Sequence, residues 1–501
     1  MKIFSAQQIK ACDAYTIQAE PIRSVDLMER AALQCFNWIK GNYPGNSLFV
    51  ILCGTGNNGG DGLAIARMLH YAGYQVKAFL LKVSEQLSPD CEANLERLQR
   101  IDNELVTFID QDRYITELHP DIIIIDAIFG TGLNRPLAGW VATFVDHLNQ
   151  LPNRKIAIDL PTGLNADYLP AINTSILKAA HTLSFQFFKR SFLHPESYPF
   201  TGPVRILDIS LNKQFINATQ TQYRTIDRAD ILSIYQPRLP FSHKGDYGKA
   251  LIVGGSYGKI GAAVLCTKAC LKSGAGLVTA LLPSVGYTVM QSAVPEAMCQ
   301  TSGTSCIEKI ENWEQYDIIG IGPGLGVDPD TIAAFEEFID QCKQPLIVDA
   351  DAINILAQRP DLLPKLPKGS ILTPHPKEFS RLFGDNADSM IRVDNARVQA
   401  MRYGIVIVLK DHHTAVLTPD GDVWYNMTGN AGMAKGGSGD VLTGIITAFA
   451  GRGYNAVNAA IMGVYLHGLA GDFAATDLSS ESILAGDIIN YLSKAFLSLA
   501  V

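Results

Sequence analysis

Asn430-Ala-Gly-Met-Ala-Lys-Gly-Gly-Ser-Gly-Asp-Val-Leu-Thr-Gly444 is the stretch of this sequence that most strongly indicates a fold. Residues 436–439 are expected to present several backbone N–H groups at the start of a helix that Val441 continues, and helix N-termini attract anions. This pattern predicts an anion hole for a transferring phosphoryl group. Asp440 is expected at its mouth, where a carboxylate can accept a hydroxyl proton. A plain glycine turn capped by Asp440 is a minor alternative, because the motif extends over 15 residues.

Short apolar runs recur along the chain, and each ends in glycine or a polar residue. They are rich in valine and isoleucine and alternate little, so they predict strands buried on both faces. Amphipathic stretches between them predict helices, and we therefore expect parallel sheets that bind ligands at the carboxyl ends of the strands. The runs are Leu48–Cys53, 122–125 and Lys155–Ile158 in the first half, and 250–253, Ile318–Ile321, Leu346–Val348 and 405–409 in the second.

The length of 501 residues predicts two or three domains. A polar stretch at 212–223 separates two patterned halves, so we expect domains at 1–215 and 225–501. The halves carry different motifs, which argues against an internal duplication. The predicted fold class is α/β, with two doubly wound domains.

Composition limits the class of protein. With 47% hydrophobic and 18% charged residues, the chain is expected to be globular. A formal net charge of −8 lacks the positive field that nonspecific nucleic-acid binding requires. Residues 1–10 carry no apolar signal segment, and the uncharged stretch 453–471 contains asparagines and glycines that favour a buried helix over a membrane span. Nine cysteines without a C-x-x-C pair fit a reducing cytoplasm.

Three loops with glycine or acidic residues follow the predicted strands of the first half. Cys53-Gly-Thr-Gly-Asn-Asn-Gly-Gly-Asp-Gly62 allows close backbone approach to a ligand, and it is not a P-loop because no Gly-Lys-Ser/Thr follows. Asp126-Ala-Ile-Phe-Gly-Thr-Gly132 and Asp159-Leu-Pro-Thr-Gly-Leu164 follow the next two strands. Each polar residue alone would be a cap or turn residue, but all three strand ends carry one. The hard oxygen donors, suited to K⁺ or Mg²⁺, are Asn58, Asp126, Asp159 and Thr162.

In this order the three loops resemble the NAD(P)H-hydrate epimerase family, which interconverts the R and S hydrates at C6 of the nicotinamide ring. The resemblance implies a Rossmann-like domain with Asp159 as acid/base, and a K⁺ ion held by Asn58, Asp126 and Thr162. It implies that the hydrated dinucleotide is bound by Asn57, Asn58, Gly59, Gly60, Asp61, Gly130, Thr131, Gly132, Leu133, Asn134, Arg135, Pro136 and Asp159. Lys189 and Arg190, after an apolar run at 183–188, are expected either to face the substrate phosphates or to be ordinary surface cations.

The second half carries a set of motifs that resembles one family. G-G-S-G-D followed by an apolar helix resembles the ribokinase-like superfamily. The order of the preceding motifs resembles NAD(P)H-hydrate dehydratase rather than a sugar kinase. These motifs are His243-Lys-Gly-Asp-Tyr-Gly248, Gly254-Gly-Ser256, Gly274-Ala-Gly-Leu-Val278, Gly322-Pro-Gly-Leu-Gly326, Asp349-Ala-Asp-Ala-Ile353 and Thr373-Pro-His-Pro-Lys-Glu378. The chain thus resembles, over nearly its whole length, the bifunctional NAD(P)H-hydrate repair enzymes, in which a dehydratase domain follows an epimerase domain.

By this resemblance Asp440 is the catalytic base of the dehydratase. The hydrate would be lined by Ala262, Gly324, His375 and Asp440. The nucleotide would be bound by Lys410, Asp411, His412, His413, Thr414, Asn430, Ala431, Gly432, Met433, Ala434, Lys435, Gly436, Gly437, Ser438 and Gly439. Asp411 departs from the family pattern, where Lys-Gly is commoner, and the roles of Asp411 and His412 stay open.

The chemistry of the hydrate suggests a mechanism. Hydroxide at C6 is a poor leaving group. Transfer of a phosphoryl group to the C6 oxygen turns it into phosphate, which is a good leaving group. The ring nitrogen can then expel that phosphate. Resemblance to the fused prokaryotic proteins implies Mg²⁺ with ADP. The expected partners are hydrated NADH or NADPH and ADP, without nucleic acid or membrane, in a cytoplasmic homo-oligomer. Two alternatives remain: a vitamin-precursor kinase that shares the G-S-G-D core, and a first half that senses nucleotides without catalysis.

Overall fold

The structure, a computed structural model, describes residues 1–112 and 115–499. The chain divides into two compact units, Lys2–Thr221 and Gln222–Val501, the second of which includes Met1. Each unit is built on its own β-sheet with helices between successive strands. The predicted α/β class with two doubly wound parts is confirmed. The assignment of one activity each to domains 1–215 and 225–501 stays a prediction.

The first unit contains a parallel sheet. Among the described residues its strands are β1 (Leu48–Cys53), β2 (Gln75–Leu81), β3 (Val106–Ile109), β4 (Ile122–Ala127), β5 (Lys155–Ile158), β6 (His181–Phe185) and β7 (Val204–Leu207). They are ordered β3-β2-β1-β4-β5-β6-β7, and every neighbouring pair is parallel. The carboxyl ends of all these strands therefore lie at one edge of the sheet.

Helices cover both faces of this sheet. They are α1 (Ala6–Ala19), α2 (Ser24–Asn42), α3 (Asn57–Tyr71), α4 (Pro89–Gln99), α5 (Gly139–Gln150), α6 (Tyr198–Thr201) and α7 (Lys213–Ala218). Alternate residues of β1 enter two different apolar clusters: Phe49 and Ile51 belong to one, Val50 and Leu52 to the other. Both faces of the strand are thus buried, which explains why its sequence is continuously apolar.

The second unit contains a larger, mixed sheet. Its strands are β8 (Tyr223–Ile226), β9 (Lys249–Val253), β10 (Leu277–Leu282), β11 (Met298–Thr301), β12 (Ile318–Ile321), β13 (Leu346–Val348), β14 (Ile371–Leu372), β15 (Val406–Leu409), β16 (Ala415–Leu417) and β17 (Val423–Asn426). They are ordered β11-β10-β9-β12-β13-β14-β15-β16-β17-β8. Strand β16 runs antiparallel to both its neighbours, and the other pairs are parallel.

The helices of the second unit pack around this sheet. They are α8 (Arg228–Ile234), α9 (Ile260–Lys272), α10 (Tyr287–Ala293), α11 (Pro329–Gln341), α12 (Ala350–Gln358), α13 (Pro376–Phe383), α14 (Ser389–Tyr403), α15 (Ser438–Gly451), α16 (Ala456–Leu478) and α17 (Ala485–Leu497). The uncharged stretch 453–471 lies largely in α16, whose middle is buried in the core, as predicted. None of the helices that the structure describes has the length and hydropathy needed to cross a membrane.

Helix α15, which begins within the glycine-rich motif 430–444, packs very closely on α9. A Cβ atom added to Gly444 would lie 2.1 Å from the carbonyl oxygen of Cys266 and 2.9 Å from the Cβ of Ala269. Backbone atoms cannot yield to such a contact, so glycine is required for this spacing. The position of Asp440, one turn earlier on α15, depends on it.

We predict that Gly444→Ala lowers the free energy of unfolding of the second unit by about 1–3 kcal/mol, because the added methyl group overpacks the helix contact. Urea unfolding followed by circular dichroism would measure the change. Gly261→Ala is the matched control: Gly261 lies in α9 with open space around its Cβ position. That substitution should be neutral or raise stability by up to about 1 kcal/mol. Equal destabilisation by the two variants would contradict the packing argument.

Candidate active sites

The loop after β1 in the first unit is held by backbone contacts that only glycine permits. A Cβ atom on Gly54 would lie 2.1 Å from the carbonyl oxygen of Ile128, and one on Gly59 would lie 1.8 Å from that of Gly54. A Cβ atom on Gly60 would lie 2.6 Å from the sulfur of Met28. Gly59 and Gly60, predicted to bind the dinucleotide, therefore turn their side-chain positions to the protein. Only their backbone remains for a ligand.

Helix α3 begins directly after Gly56, which is its N-cap. Asn57 is exposed, whereas Asn58 is 8% exposed. Among the described residues neither side-chain atom of Asn58, Oδ1 or Nδ2, has a hydrogen-bond partner. Buried amides are normally hydrogen-bonded. Asn58 thus has the bonding capacity that a bound ion or substrate requires.

Asp126 and Thr162 form one hydrogen-bonded group. The Thr162 hydroxyl donates to Asp126 Oδ1 at 2.6 Å, and the Thr162 amide donates to Oδ2 at 2.8 Å. The amide of Ile128 donates to Oδ1 at 3.2 Å. Burial nevertheless raises the pKa of Asp126 to about 6. Strand β4 runs through Asp126 to Ala127, two residues beyond the predicted apolar run.

The donor set of Asn58, Asp126 and Thr162 fits a K⁺ ion. It offers a carboxylate, a hydroxyl and an amide oxygen, and the amide oxygen is buried without a partner. Hard oxygen ligands of this kind suit alkali and alkaline-earth cations. A cation would also offset the unfavourable burial of the Asp126 carboxylate.

Asp159 follows β5 with φ of +64°, in the left-handed region. A non-glycine residue in this conformation costs about 1–3 kcal/mol and is held only by its surroundings. Its Oδ1 lies 2.9 Å from the Lys189 ammonium nitrogen and accepts the Ser184 hydroxyl at 3.3 Å. Its Oδ2 accepts the Thr131 amide at 3.1 Å. The predicted acid/base is therefore fixed through both carboxylate oxygens.

Lys189 was expected either to be a surface cation or to face the substrate phosphates, and the structure fits neither expectation. Its side chain is 1% exposed, so it is not a surface cation. Its ammonium group also donates to the carbonyl oxygens of Phe185 at 3.1 Å and Phe187 at 3.4 Å. Those two acceptors and Asp159 match its three donors. Facing the substrate phosphates is thus also wrong for Lys189 in this structure.

Gly130 joins Asn58 and Asp159 in space. A Cβ atom added to Gly130 would lie 3.0 Å from Asp159 Oδ2 and 3.3 Å from Asn58 Oδ1. The loop that begins here is half-buried to exposed and contains the remaining predicted binding residues. These are Thr131, Gly132, Leu133, Asn134, Arg135 and Pro136. The structure thus brings the three loops together at the carboxyl edge of the sheet.

Two further carboxyl groups interact electrostatically with this cluster. Burial, with smaller contributions from Asp159 and Asp13, raises the pKa of Asp61 well above its usual value. Burial also raises the pKa of Asp13 on α1 to about 7, although Lys189 opposes the shift. Asp13 was missed by sequence reasoning, because nothing in helix α1 marks it as close to Asp159.

The glycine cluster of the second unit starts helix α15 as predicted. Gly437, its N-cap, has φ of +91°, a left-handed conformation that suits glycine. The Cβ position of Gly436 is open, and that of Gly439 lies 3.3 Å from the Lys410 ammonium nitrogen. Asp440 follows in the first turn. The N-terminus of α15 and the Lys410 ammonium group thus lie close together, an arrangement that favours a bound anion.

Asp349 binds the elements around this turn to one another. Its Oδ1 lies 2.9 Å from the Lys410 ammonium nitrogen, and its Oδ2 accepts the Thr443 hydroxyl at 2.6 Å. Glu378 lies 3.9 Å from the same lysine nitrogen. Sequence reasoning quoted the motifs that contain Asp349 and Glu378 but gave neither residue a role. Their positions after parallel strands β13 and β14 were the available signal.

Asp440 has a different environment from Asp349. Within the described residues no hydrogen bond to its carboxylate is formed, and the side chain is partly buried. Burial and, to a smaller extent, the Asp349 carboxylate raise the pKa of Asp440 to about 7, although the Lys410 ammonium group opposes the shift. A carboxyl group with a pKa near neutrality is suited to accept a proton during catalysis.

The predicted hydrate-lining residues lie in two places, Ala262 with Gly324 and His375 at the start of α13. A Cβ atom on Gly324, whose φ is +63°, would lie 3.1 Å from the Cβ of Ala262. His375 caps α13, and its Nδ1 accepts the amides of Lys377 at 3.1 Å and Glu378 at 3.2 Å. The other face of the imidazole stays partly exposed, 3.3 Å from Glu378 through Nε2. His375 is therefore a structural cap whose imidazole also contacts Glu378, and its place in the hydrate site stays a prediction.

The predicted nucleotide-binding residues lie in two loops. In the first, Asp411 is exposed and accepts the His412 amide at 2.8 Å, and Thr414 donates to the Asp411 carbonyl oxygen at 3.2 Å. His412 and His413 have ring centroids 4.5 Å apart. In the second, the Asn430 side chain accepts the Gly432 amide at 3.0 Å and donates to Asp472 at 2.9 Å. The rest of this loop is Ala431, Met433, Ala434 and Lys435, followed by residues 436–439.

The structure is that of a two-unit α/β protein in which each unit places a buried carboxylate–lysine pair among its candidate site residues. The family model described as NAD(P)H-hydrate dehydratase matches residues 250–494, and that described as YjeF-related protein N-terminus matches residues 24–191. A bifunctional NAD(P)H-hydrate repair enzyme from Moorella thermoacetica is 36% identical, over 98% of this chain and 96% of the relative. One from Escherichia coli is 32% identical, over 94% and 89%.

A solved ribokinase-like superfamily protein from Enterococcus faecalis is 29% identical with a TM-score of 0.50, covering 57% of this chain and 99% of that protein. The chain belongs to the family of bifunctional NAD(P)H-hydrate repair enzymes. The predicted pairing of an epimerase half with a dehydratase half is confirmed for the family, and the ribokinase-like fold of the second half is confirmed.

The dehydration rate should depend on the ionisation of Asp440. A base must be deprotonated, so kcat/KM for dehydration should rise as pH increases through about 7, the raised pKa of Asp440. We call this rise of kcat/KM with pH the acid limb. Asp349→Asn removes a negative charge near Asp440, so the acid limb should move to lower pH. The same variant should also lose rate, because its contact with Lys410 is altered. Asp477→Asn, an exposed carboxylate paired with Lys494, is the control that should leave the limb in place. A limb that moved upward in Asp349→Asn would contradict this assignment.

Proposed function

We propose that this chain repairs hydrated NADH and NADPH by two reactions. Residues 1–215 interconvert the R and S hydrates at C6 of the nicotinamide ring. Residues 225–501 dehydrate the S hydrate at the expense of ADP, which yields AMP and phosphate. Membership of the bifunctional repair family supports both activities. The observation that carries the dehydratase assignment is the placement of Asp440 on the first turn of α15, directly after the glycine-rich residues 436–439 at the start of that helix.

The proposed dehydration begins with phosphoryl transfer. The substrates are the S hydrate and the Mg²⁺ complex of ADP. Asp440 takes the C6 hydroxyl proton while the terminal phosphoryl group passes from ADP to the C6 oxygen and AMP leaves. Amides of residues 436–439 and the Lys410 ammonium group stabilise the charge on the migrating group. Asp349 holds that ammonium group at 2.9 Å, so it acts through Lys410.

The second half of the proposed reaction expels phosphate. The lone pair of ring nitrogen N1 displaces phosphate from C6, and loss of a proton from C5 restores the dihydropyridine. Ala262, Gly324 and His375 are proposed to line the hydrate, and Lys410, residues 411–414 and residues 430–439 to bind the nucleotide. The close approach of Gly324 to Ala262 supports a shared wall.

In the epimerase we propose that Asp159 is the acid/base. Residues 57–61 and 130–136 bind the hydrated dinucleotide, and Asn58, Asp126 and Thr162 hold K⁺. When bound, this cation would supply charge that orients polar groups of the substrate. The convergence of Asn58, Gly130 and Asp159 supports this assignment. A cytoplasmic location and a homo-oligomeric state stay predictions.

We predict that Asp440→Asn abolishes dehydration and leaves epimerisation intact, because the amide cannot accept the hydroxyl proton. General-base removal typically costs about 10²–10⁴-fold in rate. Recovery of the absorbance of the reduced nicotinamide measures dehydration, and chromatographic separation of the R and S hydrates measures epimerisation. Asp159→Asn should have the converse effect and leave one epimer unrepaired. Loss of both activities in either variant would contradict the assignment of one site to each reaction. A stable phosphorylated product from the native chain would instead favour a small-molecule kinase.

The nucleotide preference has its own test. We expect faster dehydration with MgADP than with MgATP at equal concentrations, because the fused two-domain form resembles prokaryotic ADP-dependent proteins. Initial rates with the separated S hydrate, compared as kcat/KM for the two nucleotides, would measure the preference. Equal or higher kcat/KM with ATP would overturn the choice of ADP while leaving the dehydratase assignment in place.

A further inference from the structure

Two lysines of the first unit are buried, and their environments differ in one respect. Lys155 is 5% exposed and donates to the carbonyl oxygens of Leu151 at 2.8 Å and Asn153 at 2.9 Å. Lys189 is 1% exposed and also donates to two carbonyl oxygens, but its third donor meets Asp159 at 2.9 Å. Only carbonyl contacts are needed to bury a lysine in this fold, as Lys155 shows. The carboxylate contact of Lys189 therefore calls for a separate explanation.

That contact determines what Asp159 can do. An ammonium group that contacts one oxygen of a carboxylate restricts the orientation of that carboxylate through a charge-assisted hydrogen bond. Lys189 and Ser184 both engage Oδ1, whereas Oδ2 accepts one amide hydrogen bond, from Thr131. Oδ2 also faces the space that the missing Cβ of Gly130 leaves open. One oxygen is thus held by the protein, and the other keeps a free lone pair on the side of Asn58.

We propose that Lys189 is a positioning residue of the epimerase, which fixes Oδ1 of Asp159 so that Oδ2 takes the C6 hydroxyl proton of the hydrate. This inference rests on the proposed epimerase function and deepens it. The charged groups that face the pair from other elements are Asp13 on α1 and Asp61 on α3. Lys189 lowers the pKa of Asp13 and, among the described residues, is the cation that directly contacts Asp159.

The reaction that this arrangement serves is a reversible ring opening. C6 carries both the hydroxyl group and N1, so removal of the hydroxyl proton by Asp159 forms an aldehyde as the C6–N1 bond breaks. The electron pair of that bond passes to N1 and is delocalised through the ring double bond onto the carboxamide. Rotation about the C5–C6 bond presents the other face of the aldehyde. N1 then adds back, and Asp159 returns the proton to the oxygen, so that no other reactant is consumed.

The test compares Lys189→Met, Lys189→Arg and Lys155→Met in the full chain, assayed for conversion of the purified R hydrate to the S hydrate with K⁺ and without nucleotide. In Lys189→Met we expect kcat to fall at least about 100-fold, which is in the range for loss of general-base catalysis. KM should change less than about threefold, because all three donors of the lysine already bind protein groups rather than substrate. Lys189→Arg keeps the positive charge, so its kcat should be at least about tenfold higher than that of Lys189→Met. Lys155→Met should retain kcat within about twofold.

Three outcomes would overturn the proposal. A raised KM with unchanged kcat in Lys189→Met would mean that the lysine binds the substrate phosphates. Equal loss of kcat in Lys189→Met and Lys155→Met would mean a general structural role. If the first unit of Lys189→Met does not fold, shown by a loss of circular dichroism signal relative to the native chain, Lys189→Arg decides. A kcat of Lys189→Arg as low as that of Asp159→Asn would then refute the charge argument. Absence of epimerisation in the native chain would instead refute the proposed function itself.

Discussion

Parallel strand pairing is the constraint on which both sites depend. Strands β1, β4 and β5 are neighbours in one parallel sheet, so the loops that follow them start at the same edge. Asn58, Asp126 and Asp159 are separated by about a hundred residues of sequence and meet there. Parallel strands β9, β12, β13, β14 and β15 do the same for the second unit. Backbone hydrogen bonds between the strands thus bring side chains from distant segments to the same edge of each sheet.

Buried ion pairs set the chemistry at those edges. Each unit places a lysine against a nearly fully buried carboxylate, Lys189 with Asp159 and Lys410 with Asp349, both at 2.9 Å. Removing one partner of such a pair typically costs about 3–5 kcal/mol, because the other charge is left buried. In the first unit the paired carboxylate is itself the proposed base. In the second unit the pair is a fixed support, and the proposed base, Asp440, has no ammonium contact and a raised pKa.

Sequence predicted the fold class and the loops well, because both follow from local patterns. The apolar run at Leu48–Cys53 predicts a buried strand, and the glycines after it predict a tight loop. Both predictions need only the neighbouring residues in the sequence. Asp13, Lys189 and Asp349 were harder, since their roles depend on burial and on contacts between distant segments. Lys189 follows a strand like an exposed cation, and only its 1% exposure and its distance to Asp159 reveal an internal ion pair. Gly59 and Gly60 also meet close packing, against the Gly54 backbone and the Met28 side chain, and their role in binding the dinucleotide stays a prediction.

The two proposed reactions place different demands on their carboxylates, and the structure reflects this. Dehydration consumes a nucleotide and is effectively one-way, so Asp440 needs only to accept a proton as phosphate transfers. Epimerisation must run in both directions, so Asp159 must give the same proton back. A carboxylate fixed through one oxygen by Lys189 and through the other by the Thr131 amide keeps its position during that exchange. Because a chiral phosphoryl-transfer site accepts one hydrate, a reversible step upstream of a one-way step draws the other epimer into repair. This dependence explains why one chain contains both activities, without any requirement for contact between the two sites.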